Sequence, residues 1–263
     1  MTRQFGSCLR LGSMLIAGFV AFAGHAQNAT SSLVSYWSLD ASSISGTTVN
    51  DTWGSNNGEI NGDPSVVAGR MGEGLMFGGD DYVRFAPYPM TGGITITAWA
   101  NPASWTPAAY SEVLDTWAPG ADTHWYRLGF DNTGLLEFVA DTGNAVGARE
   151  SVTYDASALS GWQHLAGVRD MANSQLLLYV NGEQVAATAF LYSTEVAPQN
   201  LTIGARGDGT AEFFTGVIDE VALFESSLTQ AEIRSIMDSG ISNTTAVSPH
   251  GKTAAAWGAI KSQ

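Results

Sequence analysis

Short runs that alternate apolar and polar residues, each closed by a glycine- or asparagine-rich turn, recur along nearly the whole chain, and this pattern leaves room for little but an all-β fold. Ile94-Thr95-Ile96-Thr97-Ala98-Trp99-Ala100 places Ile94, Ile96, Ala98 and Ala100 on one face of a strand. Leu33 to Leu39, Tyr82 to Phe85, Trp125 to Phe130 and Leu201 to Gly204 are runs of the same kind. Between Gln175–Val180 and Gln184–Thr188 lies Asn181-Gly182, whose two residues accept the positive φ angles of a tight hairpin turn. Such runs, separated by turns, predict a two-sheet antiparallel sandwich of the jelly-roll kind. A helical pattern occurs once, late in the chain. Thr229 and Glu232 have capping-box spacing, Ile233, Ile236 and Met237 form an apolar stripe, and Gly240 supplies a stop.

The strand before that helix is unusual. Phe214, Val217, Val221 and Leu223 are apolar, yet Asp219-Glu220 interrupts them. A carboxylate carried into a core is costly without a partner. The pair therefore either faces water or has work to do: Asp219 holding a metal ion or capping a backbone, with Glu220 as its outward-facing neighbour.

The ends of the chain read differently. Residues 1 to 26 have the form of a secretory signal, with Arg3 and Arg10 ahead of an apolar run from Leu11 to Ala23 and small residues up to Ala26. The run is too short to span a bilayer. Residues 27 to 241 form one domain, and residues 242 to 263, rich in Ser, Thr and Ala, read as a flexible tail. Cys8, the one cysteine, falls inside the signal, so the mature chain has no thiol for a disulfide, a zinc-thiolate site or a nucleophile. Loss of Arg3 and Arg10 moves the formal charge from −14 to −16. Such acidity argues against nucleic acid or anionic lipid as a partner held by bulk charge, and favours a neutral or basic glycan or an extracellular protein. The expected location is secreted, extracellular or periplasmic, without membrane insertion after signal cleavage.

Taken in order, Tyr36-Trp37-Ser38-Leu39-Asp40, Gly72 through Val83, Ile94 through Trp99, Trp162-Gln163-His164-Leu165-Ala166, Leu178 through Gly182 and Phe214 through Val221 with Leu228 through Ile233 give the chain a family likeness. It resembles the laminin G-like, concanavalin A-like lectin/glucanase superfamily, in particular its bacterial branch with pentraxin-like modules. Ala222 departs from the pattern, standing where the family usually has a long basic side chain. The resemblance implies a structural Ca²⁺ where the first strand meets the last. Asp40 and Asp219 would supply carboxylates, with a carbonyl from Gly78 or Gly79.

Paired carboxylates at alternating positions mark the glycan-cleaving members, and no Glu-x-Asp-x-x-Glu occurs here. Glu112 and Asp115, three apart, fall on opposite strand faces, Glu137 and Asp141 would share a face but for the turn that begins there, and both pairs read as surface charges. The chain is accordingly read as non-catalytic, an atypical hydrolase or lyase being the weaker alternative. Loop tryptophans remain as binding candidates, because a sugar's apolar face stacks on an exposed ring. Trp105, between Pro102 and Pro107, ranks first as a rigid, exposed ring, and Trp53 second. Arg206-Gly207-Asp208 offers a weak adhesion signal.

Overall fold

The structure, a computed structural model, describes residues 32–90, 92–118, 123–140, 150–189 and 200–241. The predicted secretory signal and tail lie outside these residues, as does Asp141. The strands are β1 (Leu33–Trp37), β2 (Ile44–Ser45), β3 (Thr48–Val49), β4 (Gly58–Asn61), β5 (Ser65–Ala68) and β6 (Glu73–Gly78). They continue with β7 (Tyr82–Phe85), β8 (Ile94–Pro102), β9 (Ser111–Ala118), β10 (Thr123–Phe130), β11 (Leu136–Val139) and β12 (Ser151–Tyr154). The last are β13 (Gln163–Asp170), β14 (Gln175–Val180), β15 (Glu183–Ala189), β16 (Leu201–Ile203) and β17 (Thr215–Phe224), followed by α1 (Gln230–Ser239).

Two antiparallel sheets face each other. One runs β15-β14-β13-β8-β17-β6-β5, with β1 also on β17, and the other runs β12-β11-β10-β9-β16-β7-β4-β3-β2. The core between them takes the inward alternate residues: Ile94, Ile96, Ala98 and Ala100 of β8 meet Leu114, Leu128 and Phe138 from the opposite sheet. Gly167 makes room for one such contact, since a Cβ there would lie 2.1 Å from the Phe138 ring.

On the outer face of the first sheet, α1 covers a second apolar cluster that includes Tyr36, Val168, Phe224, Ile233 and Ile236. Ala222 belongs to this cluster and is buried, so its small side chain lets the covering elements approach. The helix starts as its sequence predicts, with a capping box between Thr229 and Glu232. Asn181 and Gly182 both have positive φ in the turn joining β14 and β15. Among the described residues no helix is long and apolar enough to cross a membrane.

Strand β17 changes partner halfway. Its first half pairs with β6 from Thr215 to Ile218, and its second half pairs with β1 from Val221 to Phe224. Asp219 and Glu220 sit at the changeover, in a register shift against β8, and Glu220 has φ +54°. The carboxylate pair therefore marks a built irregularity rather than a misplaced polar stretch.

Candidate functional site

The changeover in β17 is bridged by the loop from Gly69 to Glu73. Asp219 Oδ2 accepts the backbone N–H groups of Arg70 (2.7 Å) and Met71 (2.9 Å), and Asp40 Oδ1 accepts that of Glu73 (2.8 Å). Asp219 thus caps a backbone. Its Oδ1 is buried with no partner. Burial raises its pKa to about 6; the Met71 and Arg70 amides pull it down and Asp40 pushes it up. Glu220 does not face outward. It turns onto Tyr36, whose hydroxyl donates to Oε2 at 2.6 Å, and burial with the charges of Asp219 and Asp40 lifts its pKa to about 7 against the pull of that hydroxyl.

The expected calcium ligands do not converge. Asp40 and Asp219 grip one loop at the start of β6, whereas Gly78 and Gly79 lie at its far end, about 16 Å away at the rise of a strand. The Gly78–Gly79 turn belongs instead to Asp81, whose Oδ2 accepts the Gly78 amide at 2.8 Å. Among the described residues no three His, Cys, Asp or Glu side chains are grouped to hold a metal ion. The donors fit a cation only in part, as two neighbouring carboxylates, one with an orphaned buried oxygen.

The second sheet carries a buried ionic network that strand alternation concealed. Leu114 pairs with Leu128 and Glu112 with Gly129, leaving Val113 as an extra residue in β9. This bulge turns Glu112 and Asp115 to the same face. Arg127 lies between Glu112 (Nη1 to Oε1, 3.3 Å) and Glu137 (Nη2 to Oε2). All four side chains are buried, so the reading of these carboxylates as surface charges is overturned. Burial holds the Glu112 carboxyl well above its usual range; Arg127 opposes this, and Asp115 and Glu212 add to it.

The tryptophans also separate. Trp105 is not exposed. It is 93% buried, its Nε1–H donates to the Gly161 carbonyl, and its ring packs edge-on to Phe130 at 5.9 Å. An indole that can reach the core gains more from burial than its flanking prolines can withhold. Trp53, by contrast, is 37% exposed, and its Nε1–H donates to the Leu33 carbonyl at 2.9 Å, which fixes the ring.

The Trp53 loop is built on Asp51. Its Oδ1 accepts the amides of Tyr36 (3.0 Å), Trp53 (3.1 Å) and Gly54 (2.8 Å), and its Oδ2 accepts that of Asn56 (3.1 Å). The Trp37 indole donates to the Asn56 carbonyl, and the Asn56 side-chain amide to the Ala86 carbonyl. This loop, the start of β1 and the segment after β7 enclose a cleft of about 700 Å³. Ser32, Ser55, Asn56, Tyr88 and Glu225 line it, and Trp53 stands next to it, its indole bonded to the carbonyl of Leu33, which does line it. Burial and the Glu225 carboxylate raise the Tyr88 pKa, which keeps that phenol a donor. The cleft thus combines the Tyr88 phenol with a carboxylate acceptor and hydroxyl and amide groups, and the fixed Trp53 ring adjoins it. Sequence reasoning found Trp53 but not Tyr88 or Glu225, which no motif connects to it.

The Arg206-Gly207-Asp208 triplet is closed on itself. Arg206 binds both oxygens of Asp208 at 3.0 and 2.8 Å, and the Gly207 amide is buried against Asp115. An adhesion receptor would find neither end of the triplet free.

Several solved structures share the fold. Domain 4 of AbnA, an extracellular arabinanase from Geobacillus stearothermophilus solved in complex with arabinotriose, is 20% identical, with TM-score 0.56 over 78% of this chain and 98% of its own. The binding domain of botulinum neurotoxin DC, solved in complex with rat synaptotagmin II, is 13% identical with TM-score 0.61 over 80% of this chain, which spans 52% of that domain. A Trypanosoma rangeli sialidase, solved with the inhibitor DANA, is 18% identical with TM-score 0.56 over 78% of this chain and 32% of its own. No curated protein sequence matches the chain significantly. A family model of the laminin G type matches residues 77–234, more than half of the sequence. The chain belongs to the concanavalin A-like lectin/glucanase superfamily.

Proposed function

We propose that the chain is a secreted, non-catalytic carbohydrate-binding module whose glycan occupies the cleft beside Trp53. The observation that carries this reading is the cleft itself: Tyr88, Glu225, Ser55 and Asn56 around a cavity of about 700 Å³, with the rigid Trp53 indole adjoining it through Leu33. Sugar rings present apolar C–H faces to aromatic rings and hydroxyls to carboxylates and amides, so this mixture suits them. Support also comes from the arabinanase domain, whose complex holds arabinotriose. A glycan array followed by calorimetry on hits tests it. Trp53→Ala should weaken binding about tenfold, roughly 1.4 kcal/mol, and Glu225→Gln should weaken it further. If no glycan binds, or both variants bind unchanged, the reading fails and a protein partner becomes the better account of the sandwich.

A structural Ca²⁺ remains a proposal tied to Asp40 and Asp219 without Gly78 and Gly79. The orphaned Asp219 oxygen and the mutual repulsion of the two carboxylates support it. Bound calcium would neutralise that repulsion and brace the β17 changeover. An unchanged melting temperature on adding excess chelator to calcium-loaded protein would remove the idea.

A further inference from the structure

Beyond the Asn56–Ala86 bond that closes one side of the Trp53 cleft lies a second cavity of about 500 Å³. The two share Ala86, and the chain from Gly54 to Glu59 forms a continuous wall past both. The second cavity is lined by Arg84 together with Thr48, Asn57, Glu59 and Asn61.

Arg84, like Arg70 over the Trp99 ring, has no carboxylate partner among the described residues although the chain is acidic. It projects from β7, where it pairs in register with Glu59 on one side and Thr202 on the other. Its Nη2 donates to the Asp208 carbonyl at 2.6 Å and the Tyr82 hydroxyl at 3.3 Å, and its guanidinium lies 5.3 Å from the Tyr82 ring centre. These contacts hold the group in place but leave its charge unmatched. Its Nε is buried without a partner, and no carboxylate among the described residues lies within ion-pair distance. Arg127, Arg206 and Arg234 each have at least one such carboxylate. A fixed guanidinium with an unmatched charge, on a residue that lines a cavity, is suited to a carboxylate or sulfate.

We propose that the second cavity is an anion-reading subsite of the same groove, in which Arg84 binds an acidic substituent of a glycan whose neutral part lies beside Trp53. The proposal rests on the carbohydrate reading above and narrows it to acidic sugars. The net charge of −14 does not oppose it at this range. Charges beyond about 8 Å are largely screened at physiological salt, so the nearest groups decide. Glu59 is the near opponent, and its neutralisation should tighten binding of the anion.

The test uses tetrasaccharides from polygalacturonate and from hyaluronan, each beside its carboxyl-reduced neutral counterpart, with an O-sulfated neutral tetrasaccharide as a further arm. At least one acidic form should bind about tenfold tighter than its reduced partner at low salt, and the gap should narrow as salt rises. Arg84→Gln should erase the gap while leaving the reduced form within about twofold; Arg84→Lys should keep part of it, and Glu59→Gln should widen it. A gain for the sulfated arm alone supports the subsite and assigns the anion as sulfate. The inference is overturned if no anionic form gains over its neutral partner, or if Arg84→Gln weakens both forms equally, which would make Arg84 a support for the loop. Neutral forms that bind, and weaken in Trp53→Ala, while acidic forms gain nothing would sink the subsite and leave the glycan reading standing. No binding by any probe would take both down.

Discussion

Asp51 gives the sharpest quantitative test of how the cleft is made. One carboxylate accepts four backbone amides, and the Tyr36 amide among them is buried. Hydrogen bonds to a charged group contribute about 1.5–3 kcal/mol each in full burial. Three of these four are partly open to water, which can replace the carboxylate in a variant, so about 1 kcal/mol for each of them is the better figure. Asp51→Ala should then cost about 4–6 kcal/mol, a large share of the stability of an ordinary domain. Asp51→Asn keeps an acceptor for the three Oδ1 bonds but turns an NH₂ toward the Asn56 amide, and should cost about 2 kcal/mol. With a urea slope of about 2 kcal/mol/M, the midpoints should fall by about 2–3 M and 1 M. Urea titration followed by tryptophan fluorescence measures both, and hydrogen exchange at the Tyr36 amide reports the loop directly. The reasoning is refuted if Asp51→Ala unfolds within about 0.5 M of the parent with an unchanged slope and the Tyr36 amide keeps its protection.

Other consequences follow from the same geometry. Gly54→Ala should destabilise by about 2–3 kcal/mol in thermal melting, because its Cβ would fall 2.4 Å from the Val34 carbonyl and 2.6 Å from the Asp51 carboxylate. Asp219 and Glu220 are protonated more readily folded than unfolded, so their contribution to stability is full near pH 4 and is lost as pH rises through about 6 and 7. Asp219→Asn should therefore be more stable than the parent at pH 8 by about 2 kcal/mol, without calcium, and the gap should close toward pH 4. His164, held neutral down to about pH 3 by burial, contributes the opposite slope below pH 6.5, and comparing variant with parent cancels it. Arg127→Met should cost about 3–5 kcal/mol at neutral pH by leaving Glu112 and Glu137 buried without their cation, and part of the loss should return on acidification.

Local chemistry was legible wherever its cause lies within a few residues. The turn at Asn181-Gly182, the capping box at Thr229 and Glu232 and the inward alternation of β8 each follow from neighbours in the chain. Register between distant strands is another matter. One extra residue at Val113 turned Glu112 and Asp115 to the same face, where strict alternation had separated them. The switch of partners along β17 gave Glu220 its positive φ and sent it to Tyr36. Trp105 looked exposed because its neighbours are prolines, but the nearby Phe130 that buries it comes from another hairpin.

By itself the sequence determined the sandwich and its late helix, since periodicity, capping and turn chemistry are short-range. Tertiary structure alone decided which groups share a site. It moved Gly78 and Gly79 away from the two carboxylates, closed Arg206 on Asp208, and assembled Ser32, Asn56, Tyr88 and Glu225 around one cleft with Arg84 beyond it. Those groups come from segments far apart in the chain, and what joins them is strand order and register, which long-range pairing fixes and no short window of sequence contains.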